Sequence, residues 1–220
     1  DVSQEAYDAE PNSWTFTNFN GVPILNTPEE IPQMAQEFPL TAMEDLANWP
    51  EDWLAGSIRA FKTLLIAMNL VIDGEENPNQ FAHSNLVEDP FTVPADWSIA
   101  DPESVAGINI LSDFEGPIID GMQLRELFVM YKDRQAYVLT LGGQNVLTIY
   151  ATFPKGLIAR NCIAVISTAQ GPKHFCVGQE DIYLSTGYVE ESISDDRLSE
   201  WFYSRITPGL ESHVHVKHFQ

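Results

Sequence analysis

Five carboxylates that could carry acid–base chemistry lie close together towards the end of the sequence: Asp181, Glu190, Glu191, Asp195 and Asp196. Two such groups on either side of a glycosidic bond can serve as acid and base in its hydrolysis. The chain holds 32 Asp and Glu residues, however, so carboxylate pairs also arise by chance. We therefore assign no catalytic residue and predict that the chain is not an enzyme.

Three histidines near the end of the chain could ligate a metal ion: His213, His215 and His218. His213 and His215 alternate and would share one face of a strand, but no third ligand can be placed. His83 and His174 are isolated, which is typical of core or surface histidines. Gly142-Gly143 precedes a predicted strand, whereas a phosphate-binding loop precedes a helix. We assign no metal-binding or cofactor-binding residue and expect no cofactor.

Two cysteines, Cys162 and Cys176, each lie in a predicted strand among apolar neighbours. They could approach each other on adjacent strands. Buried reduced thiols are the commoner outcome for such cysteines, and we predict that both are reduced and structural. Two cysteines do not form a zinc site unaided.

A series of short apolar segments runs from Gly116 to Gly187. The segments are residues 117–119, 127–131, 136–141, 146–150, 162–166, 174–177 and 181–184. Turn-forming residues separate them at 120–121, 132–133, 142–143, 154–156, 171–172 and 178. This spacing predicts an antiparallel meander with almost no helix. A meander buries one face and must protect its edges, so it belongs in an all-β sandwich, barrel or propeller.

The first half of the sequence contains one clear hairpin. Residues 14–19 alternate apolar and polar, and Asn20-Gly21, the strongest short turn signal, precedes a returning strand at 22–25. Residues 26–53 carry four prolines and are predicted to be irregular, with one or two helical turns as an alternative at 40–47. Residues 57–72 are ambiguous: Ile58, Phe61, Leu65 and Met68 fit a helical stripe, whereas residues 64–71 fit a fully buried strand. We favour the strand, because Asp73-Gly74 supplies a turn directly after it.

Residues 74–117 contain five prolines and are predicted to be a long loop excursion. A long loop in a compact domain usually serves a function or a contact surface. Residues 1–13 are polar and predicted to be flexible.

One short helix is predicted, at residues 194–206, with Ser194 or Asp195 as its N-cap. Its apolar positions include Trp201 and Phe202, which we expect to be partly buried against the sheet. A new strand is predicted to begin at His213.

The charge of the chain is strongly acidic and unevenly distributed. The net charge is −21, and residues 1–124 hold 22 Asp and Glu against only Arg59 and Lys62. Residues 125–220 hold 10 acids and nine Lys and Arg. A surface of this kind repels nucleic-acid phosphates, and specific binding would need clustered cations. The acids therefore either only keep the protein soluble, or form a surface that faces nucleic acid without binding it.

No stretch of 18 apolar residues is present, so we expect no membrane anchor. The sequence begins with Asp1 and shows no secretion signal. We interpret the chain as a trimmed or partial piece of a longer protein, with residues 1–220 belonging to one propeller-type region.

Motifs across residues 14–206 follow an order that is shared with a known family. They include residues 19–26 (FNGVPILN), 58–69 (IRAFKTLLIAMN), 93–97 (VPADW), 111–121 (LSDFEGPIIDG), 128–132 (FVMYK), 160–162 (RNC), 173–175 (KHF), 181–183 (DIY) and 201–202 (WF). In this order the motifs resemble the tail nozzle proteins of short-tailed bacteriophages. These are also called tail tubular protein B, and the tail-hub DNA-stabilisation proteins are similar.

The resemblance implies a β-propeller subunit of the phage virion, made in the host cytoplasm. Six copies would form a ring that continues the DNA channel below the portal and adaptor. The implied partners are other copies of the chain, the tail adaptor protein and the tail fibre or tailspike proteins. DNA would pass through without specific binding, and the family has no catalytic residues to carry over.

Two other functions remain open. The chain could be a glycan-binding or glycan-cleaving propeller module of a tail fibre, which would need converging acids or stacking aromatics such as Phe91 and Trp97 in the predicted loop. Without the resemblance, a cellular propeller scaffold also fits the sequence.

Overall fold

The computed structural model describes residues 14–35, 42–97, 104–142 and 146–218, and it is almost entirely β, with 48% strand and 6% helix. The all-β prediction is confirmed. The predicted flexible segment 1–13 lies outside the described residues. The chain divides into two units, Asp1–Asp113 and Phe114–Gln220, and each unit contains two four-stranded antiparallel sheets.

The described residues of the first unit form eight strands. They are β1 (Thr15–Phe19), β2 (Val22–Asn26), β3 (Gln33–Ala35), β4 (Met43–Asp45), β5 (Trp53–Phe61), β6 (Leu64–Ile72), β7 (Glu75–His83) and β8 (Gly107–Ile110). Each sheet joins four consecutive strands in chain order, β1 to β4 and β5 to β8. The predicted hairpin at Asn20-Gly21 is confirmed, and both residues adopt the positive φ that this turn needs. The strand at Leu64–Ile72 is also confirmed.

Two predictions for the first unit are wrong. The loop predicted at 74–117 includes β7 and β8, because Pro78 lies where the pairing between β6 and β7 shifts register and does not break the ladder. The segment predicted to be irregular at 26–53 includes β3 and β4. These strands have three residues each, too few to show an alternating pattern in the sequence. The alternative helical turn fails at Met43–Asp45, which is strand.

Aromatic side chains anchor the core of the first unit. The Trp49 ring packs edge-on against Trp97 at 4.8 Å and against Trp53 at 6.2 Å between ring centres. Trp97 is 2% exposed and follows β7 in the chain. The rings therefore hold the segment after β7 against the sheets.

The part of the second unit that the structure describes forms eight strands and one α-helix. They are β9 (Ile118–Leu124), β10 (Leu127–Lys132), β11 (Ala136–Leu141), β12 (Leu147–Ala151), β13 (Ile163–Thr168), β14 (Gly171–Val177), β15 (Ile182–Ser185), β16 (Glu190–Ser192), α1 (Asp196–Tyr203) and a 3-10 turn (Glu211–His213). The sheets again follow chain order, β9 to β12 and β13 to β16. Among the described residues of 117–187 there is no helix, which confirms the predicted meander.

The turn predicted at Asp120-Gly121 is wrong, because both residues lie inside β9. Gly121 is needed for close packing, since a Cβ there would lie 2.5 Å from the Phe128 ring. Asp120 is fully buried and accepts hydrogen bonds from the backbone N–H groups of Gly121 at 2.8 Å and Asn161 at 3.0 Å. A glycine that serves packing has the same sequence signature as one that serves a turn.

Helix α1 begins as predicted, with the Asp195 side chain accepting a hydrogen bond from the Leu198 backbone N–H at 2.8 Å. Phe202 packs against the core of the unit, as expected. Trp201 does not: it is 55% exposed, with the Arg205 guanidinium 4.5 Å from its ring centre. The strand predicted from His213 is also wrong, because the chain forms a 3-10 turn there.

Candidate functional site

A groove of about 340 Å³ lies at one end of the sheets of the second unit. Three connections form it: the β10–β11 turn, the segment between β12 and β13, and the β14–β15 turn. Its lining residues are Asp133, Arg134, Pro154, Lys155, Gly156, Gly178, Gln179, Glu180, Asp181 and Tyr183. Charged side chains of both signs thus meet in one concave surface.

Lys155 is the central charge of this groove. Its Nζ lies 2.7 Å from Asp181 Oδ2 and 3.3 Å from Glu190 Oε2, and it sits over the Tyr183 ring, 5.5 Å from the ring centre. The hydroxyl of Tyr183 donates to the backbone carbonyl of Gly156 at 2.9 Å. One lysine therefore ties the segment after β12 to the β14–β15 turn and to β16.

Asp181 uses both carboxylate oxygens. Oδ2 binds Lys155, and Oδ1 accepts hydrogen bonds from the hydroxyls of Ser192 at 2.8 Å and Ser194 at 2.7 Å. Ser194 also shares a 2.7 Å hydrogen bond with Ser199 of α1. The carboxylate thereby links the β14–β15 turn to the start of the helix.

The surroundings of Asp181 and Lys155 favour the charged form of each side chain. Partial burial acts to raise the pKa of Asp181, but hydrogen bonds from Lys155, Ser194 and Ser192 lower it overall. Burial acts to lower the pKa of Lys155, while its hydrogen bonds and charge interactions with Asp181 and Glu190 raise it overall. A carboxyl whose pKa is lowered stays ionised near neutral pH and is poorly suited to donate a proton.

The structure separates the five carboxylates singled out in the sequence. Asp181 and Glu190 meet at Lys155, whereas Glu191 binds Lys173 at 3.1 Å on another part of the sheet. Asp195 caps α1, and Asp196 is exposed in the first helical turn. Asp181 and Glu190, the two that lie close together, are both ion-pair partners of Lys155.

The arrangement predicts that two ion pairs in this groove contribute very differently to the free energy of unfolding. Replacing Lys155 with Met should lower the free energy of unfolding by about 1–2 kcal/mol, because Asp181 and Glu190 would lose a partly buried partner. The same change at Arg134, whose 3.7 Å pair with Glu180 is largely exposed, should alter it by less than about 0.5 kcal/mol.

Urea denaturation of the two variants measures this difference. Carboxyl NMR titration should also show the pKa of Asp181 rising in Lys155→Met and staying unchanged in Arg134→Met. Equal effects of the two substitutions would contradict the role given to Lys155.

A second polar cluster, around His174, has no motif in the sequence. The Tyr131 hydroxyl lies 3.0 Å from His174 Nδ1, and His174 Nε2 lies 3.4 Å from the Gln123 carbonyl. His174 and Tyr131 are both fully buried. Burial, slightly offset by the Gln123 contact, lowers the pKa of His174 to about 4. The neutral imidazole, with Nε2 protonated and Nδ1 accepting from Tyr131, satisfies both contacts.

No sequence signal located this histidine: it begins the predicted strand at residues 174–177, and alternation does not distinguish it from Lys173, which is also buried. His83 is similarly buried, and its pKa is also lowered by burial. No group of three or more His, Cys, Asp and Glu residues among those described could hold a metal ion.

Both cysteines are free and buried, as predicted. Burial raises the pKa of each thiol to about 12, and Cys162 donates to the Val214 carbonyl at 3.1 Å.

Because the thiolate is the reactive form, both thiols should be nearly inert in the folded protein. Ellman's reagent should detect two thiols per chain after denaturation without reductant, and the folded protein should react far more slowly. A count of zero would contradict the reduced state.

The acids of the first unit are mostly exposed. Between residues 14 and 113 the described part of the chain contains 13 Asp and Glu, of which Glu44 and Asp96 are partly buried. The other eleven are exposed: Glu29, Glu30, Asp45, Glu51, Asp52, Asp73, Glu75, Glu76, Glu88, Asp89 and Asp113. Most of the negative charge on the described residues of this unit therefore faces solvent.

No helix among the described residues is long and apolar enough to cross a membrane. Comparisons with known proteins identify no relative: no protein-family model matches the chain, and no curated protein matches it.

Proposed function

We propose that the chain is a structural subunit of a short-tailed phage virion, located in the ring-shaped tail nozzle through which DNA leaves the capsid. The observation that carries the proposal is the exposed negative charge of the first unit. In a channel lumen, such a surface repels the phosphates of the duplex and lets it slide without adsorbing. The motif order across residues 14–206 points in the same direction.

The sheets also support this proposal. Four sheets, each of four consecutive antiparallel strands, are the arrangement that propeller blades use. A ring of six copies would join the subunits through a heterologous interface that closes by rotation. The tail adaptor and the tail fibre or tailspike proteins are the partners that this placement implies.

A glycan-cleaving module is less well supported. It would need one carboxyl group that keeps its proton and another that is free to attack or to activate water. The two candidate carboxylates that lie close together, Asp181 and Glu190, both bind Lys155.

Electron microscopy of the purified protein tests the assembly. We expect closed rings with a central channel, and a protein that stays monomeric at micromolar concentration would overturn the proposal. Glycan-array binding is expected to be negative, and a specific glycan signal would favour the tail-fibre alternative.

Charge reversal tests the role of the acids. Glu75→Lys with Glu76→Lys should leave rings intact, because exposed charges contribute little to stability. DNA ejection from particles that carry this variant should be slower, most strongly at low salt, since each new cation can hold a phosphate. Glu200→Lys, at an exposed acid of the second unit, is the matched control. The same test applies to similar pairs among the eleven exposed acids. If ejection at low salt is unchanged for all of them, the negative charge serves only to keep the protein soluble.

A further inference from the structure

The outward side of helix α1 combines apolar and basic side chains. Leu198 and Trp201 are 45% and 55% exposed, and Arg197 is exposed as well. Residues three or four positions apart lie on the same side of a helix, so these three side chains share one side. Arg205, just after the helix, joins them, because its guanidinium lies 4.5 Å from the centre of the Trp201 ring. We call these four residues the α1 face.

The opposite side of α1 is already occupied within its own unit. Phe202 packs against the core, and the Ser199 hydroxyl shares a hydrogen bond with Ser194. The Tyr203 hydroxyl donates to the Gly178 carbonyl at 2.8 Å. The α1 face is therefore the side of the helix that this unit leaves open.

The two arginines of the α1 face have no carboxylate partner among the described residues. Arg134, Lys155 and Lys173 of the same unit are each paired with an acid. An unpaired cation stands out in a chain that holds 32 Asp and Glu against 11 Lys and Arg. Tryptophan and arginine are also the residue types that dominate the energetics of protein interfaces. The α1 face thus fits a partner that offers carboxylates beside an apolar group.

The first unit presents such a group in the loop at residues 88–91, which we call the acidic loop. Glu88 and Asp89 are exposed, and Phe91, at 76%, is the most exposed large apolar side chain of the described residues. Phe91 has a φ of +59°, a conformation that a bulky side chain rarely adopts. Such strain persists only where neighbouring contacts enforce it, and it is concentrated at functional sites.

The turn between β1 and β2 holds the acidic loop in place. The Phe91 backbone N–H donates to the Asn20 carbonyl at 2.7 Å. The Asn20 amide donates to the carbonyls of Val87 at 3.2 Å and Asp89 at 3.3 Å. The Phe91 ring lies against Gly21, where a Cβ would come within 2.8 Å of it. The loop is therefore preorganised, which lowers the entropic cost of binding a partner.

We propose that the α1 face of one copy binds the acidic loop of the next copy, a contact that rests on the proposed ring. Arg197 and Arg205 pair with Glu88 and Asp89, and Trp201 packs against Phe91. The charges set the orientation of the two copies, and the aromatic rings supply buried apolar area. Because each copy carries one surface of each kind, the contact is heterologous, as closure of a ring by rotation requires.

Charge reversal at the two surfaces tests the contact. The helix variant carries Arg197→Glu with Arg205→Glu, and the loop variant carries Glu88→Arg with Asp89→Arg. Either variant alone brings like charges together at every contact, so assembly should need about tenfold or more higher protein concentration. In an equimolar mixture every contact between the two variants joins opposite charges. We therefore expect the mixture to assemble like the wild-type protein, with the two variants alternating. Sedimentation velocity measures the assembly.

Two further variants serve as reference points. Glu75→Arg with Glu76→Arg makes the same change of charge at another exposed pair of acids and should assemble like the wild-type protein. Trp201→Ala should weaken assembly about tenfold or more, because it removes the aromatic centre of the contact. Urea denaturation should give similar midpoints for all of these variants, since the substituted side chains are exposed.

The outcomes separate this contact from the ring itself. Reversal variants that assemble as well as the wild-type protein would overturn the contact, leave the ring proposal standing and assign the α1 face to another protein. A mixture that assembles no better than its components would also overturn the pairing. Wild-type protein that stays monomeric would overturn the ring proposal and this contact with it.

Discussion

Lowering the pH from about 6.5 to about 4 should reduce the free energy of unfolding by about 3 kcal/mol through His174 alone. In the folded chain, burial lowers the pKa of this imidazole from 6.5 to about 4. The unfolded chain binds the proton at the higher pH, so protons favour unfolding throughout this range. The contribution of His174 is fully present above about pH 6.5 and is lost as the pH falls to about 4.

The groups around His174 make it the residue responsible for this loss of stability between pH 6.5 and about 4. The groups that contact it are the Tyr131 hydroxyl and the Gln123 carbonyl, neither of which can compensate a positive charge. Burial raises the pKa of Tyr131 well above its usual value, so this neighbour stays neutral across the range. The lowered pKa of Asp181 affects stability only at lower pH, below its usual value of 3.8.

Urea denaturation followed by circular dichroism at a series of pH values measures this dependence. His174→Gln keeps an amide that can bond both neighbours and removes the titration, so its stability should fall much less on acidification. His218→Gln, at an exposed histidine, should retain the wild-type profile. Protonation of His83 on acidification should also reduce stability, by a smaller amount and in the first unit, because its pKa is also lowered. Equal acid sensitivity of His174→Gln and the wild-type protein would contradict the assignment.

Replacing Gly156 with Ala should lower the free energy of unfolding by about 3 kcal/mol or more. A Cβ at this position would lie 1.9 Å from the backbone oxygen of Lys132 and 2.5 Å from the carbonyl carbon of Asp133. Both contacts are with backbone, so no side-chain rotation can relieve them. The β10–β11 turn would have to separate from the segment after β12, which also displaces the Gly156 carbonyl that accepts from Tyr183.

Gly209→Ala is the matched control within the same unit. Gly209 has a φ of +88°, and a Cβ there would meet nothing within 4 Å. Its replacement should cost only about 1 kcal/mol, from the left-handed backbone. If the two substitutions had equal effects on urea denaturation, close packing at Gly156 would not be the reason for glycine there. Electron density for Gly156→Ala with an unshifted turn would lead to the same conclusion.

Most strands of the second unit could be predicted because local chemistry decides them. Segments such as Ala136–Leu141 are apolar and β-branched or aromatic, and the turns between them need residues that few other elements use. The same reasoning located the hairpin at Asn20-Gly21 and the N-cap Asp195 of α1. The charge imbalance between the two units follows from composition alone.

The wrong predictions concern glycines, prolines and short strands. Gly121 was predicted to be in a turn and lies in a strand, because what it accommodates is the Phe128 ring, which is close only after β9 and β10 pair. Pro78 suggested a loop, yet a register shift between β6 and β7 accommodates it. Neither the ring contact nor the register shift is visible in the order of the residues.

The candidate site shows the same division. The sequence by itself established an acidic, all-β chain and identified the carboxylates, histidines and cysteines that could do chemistry. Only the tertiary structure decided that Asp181 and Glu190 share Lys155 and that His174 is buried against Tyr131. The physical reason is that each of these groups lies on a different strand or connection from its partner, and strand pairing across many residues sets the distances between them.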